Sequence, residues 1–486
     1  MSTGTGRPPV LERRETGAAP LSSAQEGLWF IHQARPASTA YHVPLVLPCP
    51  EPLHLPALRC AVETLVARHG ILRTRFPVRD GAPVQVVDTS TTVTVTATDL
   101  SGVPGATERA HREARERAAE PFLLDREPPL RVALWQGLPE GDLLLVCLHH
   151  IAVDGWSLAL LFDELWTVYD AALAGTPHGL PEPELQYTDF ARWEREVHAT
   201  RGHRERVAAR AERLRGFPTG LRLGAPAALK DQHRAEPAEG AGDEGEETGF
   251  ELDADLADRV RRRAREARIT PYLLFLTVFQ ETVRRWSGEQ RFLLGTILVN
   301  RPDPRLDRTA GFFVNTVPLH CDNRPGRTVT EAWGDMRAEF RDLLRHADVT
   351  LGQLATALGA ADRTGSPLVQ VGFVMLNTPP RVGGRELPVS SLALPTQAAA
   401  LDLTVVVEDS GTRFTGTIGH ATAHYDRATA EGVRDTFLGL LGAALDAPDA
   451  VLARLRVPGT RPAGPAGPPI DLVADHRRRT APTAGK

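Results

Sequence analysis

Residues 143–169, LLLVCLHHIAVDGWSLALLFDELWTVY, join two hydrophobic periods through a short polar hinge. Leu143 to Leu148 is an unbroken apolar run, bounded upstream by Pro139-Glu140-Gly141-Asp142. It reads as a strand buried on both faces. Downstream, Leu158, Leu161, Phe162, Leu165, Tyr169 and Ala172 fall on one face of a helix. Between the two lie His149, His150, Asp154 and Gly155. Paired imidazoles at a strand's end, then a carboxylate and a glycine opening a helix, make a poor surface loop and a good active site.

Imidazole titrates nearest neutrality, so it can take a proton from a reacting group without a metal. Strand alternation sends His149 and His150 to opposite sides, and only one can face a given cavity. Asp154 is placed to meet a histidine or a distant arginine across the turn. Gly155 allows close backbone approach, and Trp156 and Ser157 start a helix whose open N–H groups favour negative charge. The competing reading is two core histidines and an N-cap aspartate. It suits a lone HH pair, but the full HHxxxDG spacing between strand and helix favours chemistry.

Composition narrows the class. With 486 residues the chain should hold two or three folding units. Its 56 basic and 61 acidic residues leave a net charge of −5, with no sign of a nucleic-acid or anionic-membrane partner. No apolar run nears the ~20 residues that span a bilayer, and the first residues lack an apolar signal core. The four cysteines, Cys49, Cys60, Cys147 and Cys321, lack CxxC spacing. A cytoplasmic, reduced and metal-free protein is expected.

Residues 1–19 are polar and rich in Gly, Pro and Arg, and read as disordered. A first lobe is expected over residues 20–223. Its helices are read at Leu21–Gln33, Leu55–His69 and Ala106–Ala119, and its strands at Ile71–Pro77 and Val84–Val95. A hairpin joins Leu130–Trp135 to Leu143–Leu148, and Tyr187–Trp193 leads into a basic helix over Glu194–Leu214. Residues 224–249, with the acidic GDEGEE run, read as a solvated linker. A second lobe is expected over 250–457, with helices at Ala254–Ala267, Pro271–Trp286, Val329–Arg345 and Arg427–Leu445. Its strands are read at Phe292–Val299, Gly311–Leu319, Leu368–Leu376, Leu401–Glu408 and Phe414–His420. Mixed helices and strands in two comparable halves imply two α/β sandwich-like lobes. Residues 458–486 turn to Pro, Gly and Ala, then to a short amphipathic helix over Ile470–Pro482.

Together these stretches resemble the condensation domains of non-ribosomal peptide synthetases, from about Leu21 to Val457. LSSAQEGLWF, RHGILRTRF, LHHIAVDGWS, YTDFARW, GTILVNR and GFFVNTVPL follow the order of that family's core motifs, and the set is specific where any one member is not. The seventh motif is weak here, at His346-Ala347-Asp348.

The resemblance implies an α/β (α+β sandwich) fold: two chloramphenicol acetyltransferase-like lobes in a V-shaped pseudo-dimer around a central tunnel. It implies an acyltransferase of secondary metabolism and antibiotic biosynthesis. An acyl or aminoacyl thioester donor and an amine acceptor enter from opposite mouths on the phosphopantetheine arms of carrier proteins or domains. The chain itself would bind no cofactor. His150 would handle the attacking amine, as a base or a positioning group, with His149, Asp154 and Gly155 completing the catalytic motif. Arg301 would pair with Asp154, and Trp156, Ser157, Asn315 and Thr316 are tunnel candidates. Backbone N–H groups near Gly155 and Trp156 would steady the oxyanion. Arginines of the 201–215 run could dock acidic carriers, against the plainer reading of a solvated helix face.

Neighbouring families fit less well. Epimerisation domains usually carry Ser-Trp after the glycine where this chain has Trp156-Ser157, and heterocyclisation domains replace both histidines by aspartate. Two alternatives stand: a stand-alone acyltransferase that uses coenzyme A thioesters or forms esters, and a carrier-docking module without catalysis. Gly27 occupies a position where many members have arginine, a variant also common in starter and siderophore-type domains, which allows an aryl or fatty acyl donor. The tail IDLVADHRRRTAP resembles the opening helix of an adenylation domain.

Overall fold

The computed structural model describes residues 9–14, 17–39, 41–224, 245–359, 368–377, 381–382, 385–386 and 401–457. The expected tail helix at 470–482 and residues 225–244 of the expected linker lie outside these.

The first half builds a four-stranded sheet from β1 (His42–Cys49), β2 (Val95–Asp99), β3 (Leu130–Leu138) and β4 (Gly141–His149), in the order β1-β4-β3-β2. Only the β2–β3 pair is parallel. Around it lie α1 (Ser23–Ala34), α2 (Leu55–Arg68), α3 (Ala106–Ala119), α4 (Gly155–Ala174) and α5 (Tyr187–His198). The apolar run makes β4 a central strand, buried on both faces as read from its sequence. Asp154 caps α4 by accepting from Ser157 N, and Gly175 ends it at φ 64, where a Cβ would be strained.

The second half carries a six-stranded sheet, with β5 (Gly245–Glu251), β6 (Arg291–Val299), β7 (Val314–Asp322), β8 (Val371–Asn377), β9 (Leu403–Asp409) and β10 (Phe414–Ala421) in the order β7-β6-β8-β9-β10-β5. Helices α7 (Ala254–Ala267), α8 (Pro271–Ser287), α9 (Val329–Leu344) and α11 (Arg427–Asp446) contribute to its apolar core, and α10 (Leu351–Ala357) packs with α6 (Arg201–Leu214) in a smaller cluster.

Each sheet has its own core, but the division is not clean. Leu306, Ala310 and Phe313, from the segment between β6 and β7, are buried in the core of the first half. In the other direction α6 reaches the second half. Arg210 donates to the Pro318 carbonyl at 2.8 Å and pairs with Asp342 at 3.2 Å, and His203 meets Asp348 at 3.1 Å.

Several local expectations change. The basic helix over 194–214 is two helices, broken at Ala199-Thr200, where the Thr200 hydroxyl caps α6. Within its basic run Arg206, Arg210 and Arg213 pair with Asp348, Glu339 and Asp342, and Arg210 alone of the three is buried. Of the disordered-reading N-terminus, residues 9–14 are ordered: Leu11 is buried, Trp193 Nε1 donates to the Pro9 carbonyl, and Arg14 pairs with Glu196. A single apolar side chain and an ion pair fasten a segment whose average composition is polar. Residues 245–249, read as linker, pair with β10 as the start of an edge strand. Ile71–Pro77 begins as a 3-10 turn, Gly70–Arg73, with only Thr74–Arg75 in a strand.

Candidate active site

β4 ends at His149, and one 3-10 turn, His150–Ala152, carries the chain to Asp154 and α4. The two imidazoles separate as alternation requires. His149 is buried among His32, His42 and Phe122, with ring centroids 5.7, 6.1 and 5.9 Å away. Its Nδ1 accepts from Ile151 N at 3.1 Å. Burial first, and then the neighbouring imidazoles, push its pKa well below the usual range, which favours the neutral ring.

His150 turns the other way, onto the wall of a cavity of about 1990 Å³. Its backbone N–H donates to the Tyr41 carbonyl at 2.7 Å, and its Nδ1 lies 2.7 Å from the Val153 carbonyl. A carbonyl only accepts, so Nδ1 carries the proton and Nε2 of the neutral ring keeps its lone pair. The ring edge rests on Phe312 at 5.1 Å.

Asp154 is fully committed. One oxygen accepts from Ser157 N at 2.7 Å and the other from Phe313 N at 3.0 Å. Arg301 reaches Asp154 at 3.5 Å, its longest polar contact. The same Nη2 donates to Ser157 Oγ at 2.9 Å, and Nη1 donates to the carbonyls of Thr309, at 2.8 Å, and Leu306. The guanidinium also covers the Phe313 ring at 3.9 Å. Burial lowers its pKa and Asp154 opposes the shift.

Ser157 Oγ donates to the Gly311 carbonyl at 2.8 Å and accepts from Gly311 N at 3.0 Å. It is buried and holds this strap, so it is not on the cavity wall where the sequence reading placed it. Gly311 has no room for a side chain, because a Cβ there would lie 1.9 Å from the Tyr187 ring. Tyr187 in turn donates to the Phe312 carbonyl at 2.5 Å.

Trp156, Gly155, Asn315 and Thr316 do line the cavity. Trp156 is half exposed and donates to the Asp307 carbonyl at 2.9 Å. Asn315 donates to the carbonyls of Ala347 and Val349 at 2.8 and 2.9 Å, so it also braces the loop between α9 and α10. Among the described residues no cluster of three or more His, Cys, Asp or Glu side chains could hold a metal.

The sequence model of the condensation domain matches residues 15–462. The chain belongs to the condensation-domain family. Its similarity is to the non-ribosomal peptide synthetase type. The phosphinothricin tripeptide synthetase PhsC of Streptomyces viridochromogenes is 34% identical over 437 residues, 87% of this chain and 39% of that protein. The probable non-canonical nonribosomal peptide synthetase CymA of Salinispora arenicola is 30% identical over 456 residues, 90% of this chain and 6% of that protein. The chain thus spans well under half the length of these relatives.

Solved structures share the condensation-domain fold at low identity. The X-domain from teicoplanin biosynthesis superposes with a TM-score of 0.78 at 23% identity, covering 92% of this chain and 100% of that one. The first condensation domain of the CDA synthetase gives 0.74 at 19% identity, covering 91% and 99%.

The fold brings His150, Asp154, Gly155 and Arg301 together at one turn. Sequence reading missed Phe312, Gly311 and Tyr187 as parts of the site. All three lie inside stretches singled out as motifs, but their pairing with the turn is a tertiary fact.

Proposed function

We propose that this condensation domain joins a carrier-bound acyl thioester to the amine of a carrier-bound acceptor, forming an amide. The observation that carries the reading is His150, whose Nδ1–H is held by Val153 while its other nitrogen is left for the cavity. In this reaction the amine nitrogen attacks the thioester carbonyl carbon, the C–S bond breaks, and the thiol leaves with the proton the amine gives up. His150 Nε2 accepts that proton or holds the amine for attack, an effect typically worth ~10²–10⁴-fold. The first-turn amides of Gly155 and Trp156 open α4 at the same wall and are suited to the developing oxyanion.

The two lobes form a V, and the cavity between them is a tunnel open to two carriers. His149, Asp154 and Arg301 serve by orienting the turn. The chain supplies no phosphopantetheine; each arm arrives on a partner, and tethering raises the effective concentration to roughly millimolar. Carrier partners and the synthetase setting suit a cytoplasmic protein.

The test offers matched donors as carrier-bound thioesters and as coenzyme A thioesters, with a carrier-bound amine, and weighs the products by mass spectrometry. Strong preference for the carrier form supports the reading. Equal turnover of the coenzyme A form would make the chain a stand-alone acyltransferase, and no product from any loaded pair would make it a docking module.

A further inference from the structure

Asp348 closes the reduced seventh motif, His346-Ala347-Asp348, in the loop between α9 and α10, where three successive carbonyls are bonded across the molecule. Asn315 of β7 donates to the first and third, Ala347 and Val349, at 2.8 and 2.9 Å. His198 Nε2, at the end of α5, lies 3.2 Å from the second, that of Asp348. A carbonyl only accepts, so this nitrogen carries the proton, and Nδ1 accepts from Ser23 Oγ at 3.2 Å. His198 is thus a neutral ring with both nitrogens in use.

His203 of α6 stacks on that ring, with centroids 4.1 Å apart, and is buried. Its Nδ1 faces an Asp348 carboxylate oxygen at 3.1 Å, and its Nε2 faces Gln353 Oε1 at 3.1 Å. The Gln353 atom is an oxygen by its other bond, because it accepts from Thr350 N at 3.0 Å in the capping box of α10. Both nitrogens of His203 therefore meet atoms that cannot donate. A neutral imidazole would satisfy one of them and leave a buried lone pair against the other oxygen, whereas an imidazolium satisfies both.

We propose that His203 is a buried imidazolium, and that by holding Asp348 it positions Asn315 on the wall of the reaction cavity. The effect on the reaction rests on the condensation reading above; the charge on the ring does not. The charged groups around the stacked pair are Asp348 from the loop, Arg206 from α6, and Glu194 and Arg195 from α5. Arg206 Nη2 lies 3.3 Å from His203 Nδ1, but its closer partner is the Asp348 carboxylate. Burial opposes ionisation of Asp348, yet hydrogen bonds from His203 and Arg206 hold its carboxyl below the usual range. Burial, and then the charge of His203, push His198 down to about 4, so the two rings share one charge. A cation against the face of a neutral ring is attracted, where two cations would repel.

Nitrogen NMR of the whole chain with isotope-labelled histidine tests the charge at pH 7. Wild type should show a ring with both nitrogens protonated that is missing from His203→Gln, and in Asp348→Asn that ring should lose one proton. Two unlike nitrogens in the wild-type His203 ring overturn the charge. Hydrogen exchange tests the positioning without any reaction: the Asn315 side-chain amide should exchange slowly in wild type and faster in His203→Gln. Equal exchange in the two proteins overturns it. In condensation assays with loaded carriers, His203→Gln and Asn315→Ala should each raise KM about tenfold with kcat little changed. The double variant should be no worse than the worse single one, because both act through one loop. A purely structural role would lower the melting temperature and leave KM where it was, and additive losses would part His203 from Asn315. If His203→Gln fails to fold, Asp348→Asn, at a side chain 25% exposed, takes its place in every measurement. No amide from the wild-type chain, with the ring charged and the Asn315 amide protected, sinks the condensation reading and leaves the clasp standing.

Discussion

His150 and Val153 share a 2.7 Å hydrogen bond from ring Nδ1 to backbone carbonyl, and it fixes the tautomer of a side chain at the cavity wall. The bond closes within one turn of chain, so it does not depend on substrate. His150→Ala should therefore fold as the wild type does, yet slow amide formation by about 10²–10⁴-fold. Single-turnover measurement with loaded carriers checks this, with circular dichroism and thermal melting as the folding control. Near-wild-type turnover would remove His150 from the chemistry.

Asp154 and Arg301 are less of a pair than their motif spacing suggests. At 3.5 Å their contact is weaker than those each makes elsewhere, Asp154 with two backbone N–H groups and Arg301 with Ser157, Leu306 and Thr309. Removing Asp154 leaves the guanidinium with acceptors but strips Ser157 N and Phe313 N of theirs. Asp154→Ala should cost about 3 kcal/mol. A double-mutant cycle with Arg301→Ala in denaturant unfolding should give a coupling under about 1 kcal/mol. A large coupling would restore the ion pair as the main bond.

Gly311→Ala is expected to be the most damaging small change at the site. The added methyl would sit 1.9 Å from the Tyr187 ring, so the strap must lift off Ser157 and carry Phe312 away from His150. Overpacking of this kind should cost about 3 kcal/mol and lower turnover with it. Unchanged melting and turnover would show that the strap slides without cost.

Glu164 links acid stability to the packing of α2 on α4. Burial raises its carboxyl pKa, but hydrogen bonds from His69 and Arg68 overcome that and hold it at about 2. A carboxyl whose folded value lies below its unfolded value of about 4.3 stabilises the fold above that pH. The contribution is lost as pH falls through about 2. Glu164→Gln should therefore be less stable than the wild type at pH 7, with a flatter melting temperature between pH 5 and 2. Parallel slopes for the two proteins would count against the assignment.

Local pattern makes some of this legible and hides the rest. Six apolar residues in a row can only be a buried segment, and alternation alone separates His149 from His150. By contrast, β1 escapes such a reading because Pro44 and Pro48 argue against a strand; the structure accommodates them at a sheet edge, where a missing N–H costs little. Ile71–Pro77 has strand composition, but Gly70 N is held by the Gln186 side chain and Thr74 Oγ1 donates back to the Gly70 carbonyl, which favours a turn. Those partners lie 116 and 4 residues apart, and only the nearer is visible to local pattern. Ser157 is misread for the same reason: its partner, Gly311, is 154 residues distant.

The burial of Leu306, Ala310 and Phe313 in the first core bears on how the polypeptide leaves the ribosome. Synthesis proceeds from the N-terminus, so α1 to α5 emerge well before the three side chains that complete their packing. Until residue 313 is out, the nascent first half lacks three of the apolar side chains that pack in its core. A gene cut between the halves would part the first core from Leu306, Ala310 and Phe313, and expose those three side chains on the other piece.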